Sequence, residues 1–318
     1  MRVLAAILSI AAACLSGPLA AQDSFSKDFS RLQQQDAFLQ SVGWKLVTGN
    51  AEFCDQTAPA TGLLIQDAAA YGDPARVRAE TGIRGDIFIH VIVPGSPAAL
   101  AGLDAPEELT AIDGIKLAAL PLDQGRLWQR QLDILAMITD SLAKDGMAEL
   151  SIAGRASPAA VTGIPACASR FELISGRSAI STNGTRIAVG RDFVGLGYTE
   201  DEFAAALAHE LAHNLLGHAG WLDANGRGRR NVRKTEDEAD RLMPWLLANA
   251  GYDPAAAVRF LERWGPKNGG GLFRKRTHSG WDERAQAVAA EIPRVIESQN
   301  RRGSADWKAD FGAFIALD

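Results

Sequence analysis

The chain predicts an α+β protein: a mostly helical domain with a small sheet, interrupted near its start by a β-rich insert. Three observations carry that expectation. An amphipathic helical pattern opens the chain, alternating apolar residues with turn signals follow it, and capped helical stretches dominate the second half. At 318 residues with 47% hydrophobic content, the sequence exceeds the size at which one core stops growing and has an ordinary globular composition. The expected division is a leader at 1–21, a helical segment of the main domain at 22–54, the insert at 60–155 and the rest of the main domain at 167–318.

The leader is read from Met1-Arg2, the apolar run at 3–14 and the small residues through Ala21, which together resemble a secretory signal cleaved near Ala20 or Ala21. Lipoprotein anchoring through Cys14 is the lesser alternative, because Ala11 stands where a lipobox prefers leucine. No other stretch approaches the roughly 18 apolar residues of a membrane span. The expected location is therefore the periplasm or the exterior. Removing the leader leaves Cys54 and Cys167, an even count in an oxidising compartment, and a disulfide between them is expected. Lys and Arg total 33 against 38 Asp and Glu, a net charge of -5, which argues against nucleic-acid binding.

Residues 24–47 follow, patterned as an amphipathic helix with Phe29, Leu32, Phe38 and Leu39 available for burial. In the insert, Ile87, Ile89 and Val91 alternate as a strand, Pro94-Gly95 punctuates it, and Ser96 can cap a short helix through Leu100. Asp113-Gly114 predicts a hairpin turn, and a longer helix near 124–144 with a strand at 148–152 would complete the module. His90 belongs to the first of these strands and is expected to have no metal role.

In the second half, Thr199-Glu200-Asp201-Glu202 matches a capping box and predicts a helix reaching into His209-Glu210-Leu211-Ala212-His213, an H-E-x-x-H pattern. Side chains four apart stack on one helical face, so His209 and His213 can converge on one metal ion while Leu207, Leu211 and Leu215 pack behind. His218 is a poor third ligand, since on a continuous helix it would sit about half a turn from His209. A better one lies downstream, where Thr235 and Glu238 form a possible capping box and Glu236 and Asp240 share a helical face. Glu236 is expected to complete a site for one Zn²⁺, with Asp240 accepting a hydrogen bond from a ligand histidine. Three protein ligands leave a position for water, and Glu210, offset by about 100° from His209, suits the base that takes its proton.

These motifs, followed by Leu246-Leu-Ala-Asn-Ala-Gly-Tyr-Asp-Pro254 and by Thr277-His278 with Arg284 beyond, resemble metallopeptidase family forty-eight. These are the gluzincins that include HtpX, the CAAX prenyl protease and BepA. The resemblance spans about residues 168–295 and implies a zincin-type fold, Glu236 as the third zinc ligand, and substrate or oxyanion contacts from His278 and Arg284. Three features depart from that pattern. Ser279 replaces the usual proline, Pro244 predicts a kink or a lost hydrogen bond to Asp240, and the connection before Glu236 is short and basic. A thermolysin-type arrangement would not account for residues 250–254 or for the late His278 and Arg284 pair.

The insert, through Ser96-Pro-Ala-Ala-Leu-Ala-Gly-Leu103 and Ala111-Ile-Asp-Gly-Ile115, resembles a PDZ domain of the bacterial protease-associated kind, which implies capture of an extended peptide by strand addition. The combined expectation is a zinc endopeptidase acting on unfolded or extended polypeptides, in envelope protein quality control. The rival is a peptide-binding protein or chaperone with a structural zinc site, which would have no need of Glu210.

Overall fold

The computed structural model describes residues 17–268 and 280–312, an α+β arrangement of several small sheets among long helices. The first helix, α1 (Gly17–Gly49), begins within the expected leader, whose first sixteen residues, Cys14 included, lie outside the described residues. Its Leu39, Val42 and Leu46, spaced at the helical repeat, are fully buried in the main core. Phe29, further toward its start, is buried in a separate cluster with Val77 and Phe88. One helix thus runs along two parts of the molecule. Gly43 permits this course, since a Cβ there would lie 2.4 Å from the ring of Phe171.

After α1 the chain enters the insert through β1 (Thr57–Ala60) and leaves it through β8 (Ile164–Cys167), which pair antiparallel with Thr57 opposite Cys167. Cys54 and Cys167 are disulfide-bonded, with Cα atoms 5.5 Å apart, so the two strands and the bond close a neck. Between them lie β2 (Leu63–Asp67), α2 (Pro74–Thr81), β3 (Ile87–Ile92), α3 (Pro97–Leu100), β4 (Glu107–Ile112), β5 (Ile115–Lys116), α4 (Trp128–Asp145), β6 (Met147–Ile152) and β7 (Ala159–Thr162). The sheet runs β2-β3-β4-β6-β7 with β5 on β4, and α4 covers one face.

Several local expectations hold. Ser96 caps α3 by accepting from Ala99 N, and Asp113 (φ 50°) with Gly114 (φ 78°) makes the two left-handed positions of a tight hairpin turn. The sheet continues to Thr162 rather than stopping near 155, because the short run of small residues in β7 pairs with β6. In β3, Ile87 and Ile89 join the insert core while Phe88 and His90 face α1, so both faces are buried. His90 is indeed in this strand, with Nε2 3.2 Å from Asp36 Oδ2 on α1.

The chain then forms a small sheet of β9 (Arg170–Ile174), β10 (Ile180–Thr182) and β11 (Arg186–Gly190), ordered β10-β11-β9, with β11 parallel to β9 and antiparallel to β10. The helices α5 (Glu200–Leu215), α6 (His218–Asn225), α7 (Arg229–Asn249), α8 (Ala256–Asn268), α9 (Trp281–Arg302) and α10 (Trp307–Asp310) complete the chain. Ala204, Ala208 and Ala212 are fully buried on α5, small enough for α7 to pack closely against it.

One expectation about α7 changes. It starts at Arg229, well before the proposed cap at Thr235, whose hydroxyl instead donates to Val232 O inside the helix. Arg229, Arg230, Arg233 and Lys234 are thus themselves helical, as their propensities allow. The helix also passes through Pro244, whose missing N–H leaves no helical donor for the carbonyl of Asp240.

Candidate metal centre

The site begins with a well-capped helix. Thr199 Oγ1 accepts from Glu202 N, and Glu202 Oε2 accepts from Thr199 N at 3.2 Å, the reciprocal capping box expected from the sequence. Leu207 and Leu211 are fully buried behind α5, and Leu215 packs partly against the same core. His209, Glu210 and His213 face an open cleft of about 760 Å³, with Ile180, Ser181 and Thr182 of β10 along another wall.

Tertiary packing brings Glu236 of α7 to the two histidines. His209 Nε2 lies 3.2 Å from His213 Nε2 and 3.3 Å from Glu236 Oε2, and His213 Nε2 lies 3.6 Å from Glu236 Oε1. A tetrahedral ion with bonds of about 2.0–2.1 Å needs ligand atoms about 3.3–3.4 Å apart. The three donors fit a zinc ion, and among the described residues theirs is the group of three potential ligands close enough to hold one.

Asp240 and Arg284 stand behind His209. Asp240 Oδ1 lies 3.0 Å from His209 Nδ1, an oblique approach that counts as charge pairing more than as a linear hydrogen bond. Arg284 donates from Nε (2.5 Å) and Nη2 (2.7 Å) to the two Asp240 oxygens. Arg284 therefore engages two of its three nitrogens with Asp240, a partner the sequence did not suggest. His278 lies outside the described residues.

Burial sets the charge states. Burial alone would raise the carboxyl of Asp240, but Arg284 and His209 outweigh it and hold it below the usual carboxylate range. Burial also opposes a charge on His209, yet Asp240 and Glu236 raise it to about 10. His213, buried and beside that cation, falls to about 3. Glu210 is pushed up to about 7 by burial, with Glu236 adding to the shift and His209 opposing it.

His218 lies apart from the group of His209, His213 and Glu236, and a break in the helix sets its place. Gly217 takes a left-handed conformation (φ 60°), α5 ends, and α6 starts at His218 on a new axis. The turn brings His218 Nδ1 to 2.9 Å from His213 Nδ1, while its Nε2 lies 3.4 Å from Glu238 Oε2. Extending α5 as a continuous helix misplaces His218, and Glu238 meets His218 rather than capping α7. Gly217 immediately before the histidine was the available signal.

Neither a protein-family model nor a curated protein sequence matches the chain.

Proposed function

We propose that the chain is a zinc-dependent hydrolase and, more particularly, an endopeptidase of the family forty-eight kind acting on unfolded or extended polypeptides. The observation that carries this reading is the triangle of His209, His213 and Glu236 with Glu210 on the same cleft wall. A zinc ion held by that triangle supplies Lewis-acid polarisation of water and of the scissile carbonyl. Glu210, buried beside the triangle on the cleft wall, is suited to take a proton from the attacking water and hand it to the leaving amine. Asp240 orients His209, and Arg284 holds Asp240. The family resemblance leaves oxyanion contact to His278, while the Asp240 pairing supports a positioning role for Arg284.

Substrate approach is proposed along β10, an edge of the small sheet on the cleft wall, where an extended chain can add as a further strand. A second groove, about 790 Å³, runs between edge strand β2, α4 and α1, with Leu64, Trp128, Leu132 and Phe171 among its walls. That groove supports the PDZ-like reading of the insert, with strand addition at β2. The disulfide supports an exported location, and no helix of the described residues is long and apolar enough to cross a membrane. The groove also favours a second reading, a peptide-binding protein with a structural zinc site.

Zinc content and casein cleavage, compared between the leaderless wild type and Glu210→Gln, separate these readings. About one zinc per chain in both proteins, with cleavage only in the wild type, is the expected result. Zinc in both with cleavage in neither would favour the binding protein, and a wild type that takes up no zinc would overturn the metal site itself.

A further inference from the structure

Among the described residues the Nδ1 side of His213 meets no carboxylate directly, and the structure supplies one through another histidine. His213 presents Nε2 to Glu236 and His209, leaving Nδ1 directed at His218 Nδ1 at 2.9 Å. Two ring nitrogens at that distance share one proton-bearing contact: one must carry hydrogen and the other a lone pair. A ligand histidine that binds metal through Nε2 carries its proton on Nδ1, so His218 must accept there. The proton of a neutral His218 then sits on Nε2, which lies 3.4 Å from Glu238 Oε2, a charge contact short of hydrogen-bond geometry. Glu238 and His218 are 0% and 1% exposed, so bulk water does not compete for these contacts.

We propose that Glu238 and His218 form a positioning relay that fixes the tautomer and ring orientation of His213 for zinc, the counterpart of the direct Asp240–His209 charge contact. The proposal rests on the zinc-site reading above. Its consequence is that α7 serves the site three times, with Glu236 as ligand and with Glu238 and Asp240 each setting one histidine. Gly217 is the backbone device that makes the arrangement possible, because the helix ends after α5 and its left-handed turn returns His218 to the flank of His213.

The test is the zinc dissociation constant, by chelator competition, of wild type, His218→Leu and His218→Gln. Losing such an outer partner weakens metal binding about 10- to 100-fold. His218→Leu should show that loss, whereas glutamine, which can accept at one end and donate at the other, should recover most of it. Matched melting of the three metal-free proteins separates positioning from folding. Leucine binding zinc as tightly as wild type, or glutamine losing as much as leucine, overturns the relay. If wild type binds no zinc, the parent reading fails first, and that result is distinct from equal binding by all three. Should the leucine variant not fold, nitrogen NMR of the zinc-loaded wild type decides instead. The relay requires His213 protonated on Nδ1 and His218 on Nε2, and His218 protonated on Nδ1 refutes it.

Discussion

Replacing Arg284 by methionine isolates a buried ion pair directly behind the site. Asp240 is 1% and Arg284 9% exposed, and two guanidinium nitrogens meet two carboxylate oxygens at 2.5 and 2.7 Å. Methionine fills much of the aliphatic volume but leaves the Asp240 charge facing only His209. Breaking a buried pair from one side costs about 3–5 kcal/mol, far above the value of an exposed pair. For a cooperative unit of 150–250 residues that corresponds to a melting temperature lower by about 6–20 °C. The sign with pH follows from Asp240, whose carboxyl is depressed in the folded protein. Its contribution is present above the ordinary aspartate range and is lost as pH falls through the lower folded value. The deficit of Arg284→Met should therefore be steady between about pH 5 and 8 and should shrink in more acid solution, where the Asp240 carboxyl, no longer held by Arg284, protonates. Calorimetry of the metal-free proteins across that range is the assay. A loss below about 1 kcal/mol, the value of an exposed pair, would refute the argument that the pair is desolvated.

Three other outcomes follow from the geometry. Glu236→Gln should reduce zinc occupancy sharply by elemental analysis, and unchanged metal content would remove Glu236 from the ligand set. Zinc uptake at pH 7 should release at least about one proton, because His209 is raised to about 10 and must be deprotonated to bind, whereas His213, lowered to about 3, is already neutral. Apparent affinity should accordingly rise with pH through the neutral range; titration calorimetry in buffers of different ionisation heat measures the release, and none at all would contradict the charge assignment. Opening the Cys54–Cys167 bond frees a 113-residue separation, for which chain entropy sets an upper bound of about 4–5 kcal/mol. Melting with and without reductant reads the loss, and labelling of both thiols before reduction would show that the bond is not formed.

Much of the fold was legible because local chemistry repeats at fixed spacing. Thr199 and Glu202 announce the start of α5, Ser96 caps α3, Asp113-Gly114 turns the hairpin, and the apolar residues of α1 mark its buried stripe. Where the reading failed, two local signals competed. Thr235 and Glu238 have the spacing of a capping box, yet the helix-forming residues from Arg229 onward carry the helix through them. The short β7 has too few residues to display alternation, and only its pairing with β6 reveals it.

By itself the sequence determined the helix that bears His209, Glu210 and His213, the turn of that helix that sets the two histidines on one side, and the carboxylates at Glu236 and Asp240 that share a face of α7. Those are short-range consequences of a 3.6-residue period and need no knowledge of the rest of the chain. Only the tertiary structure decided what the side chains meet. The packing of α5 against α7 brings Glu236 to His209 and His213, the return of α9 delivers Arg284 to Asp240, and the left-handed Gly217 brings His218 between His213 and Glu238. Such contacts join residues far apart in sequence, or across a break in a helix, and their distances depend on how whole elements pack rather than on the spacing within any one of them.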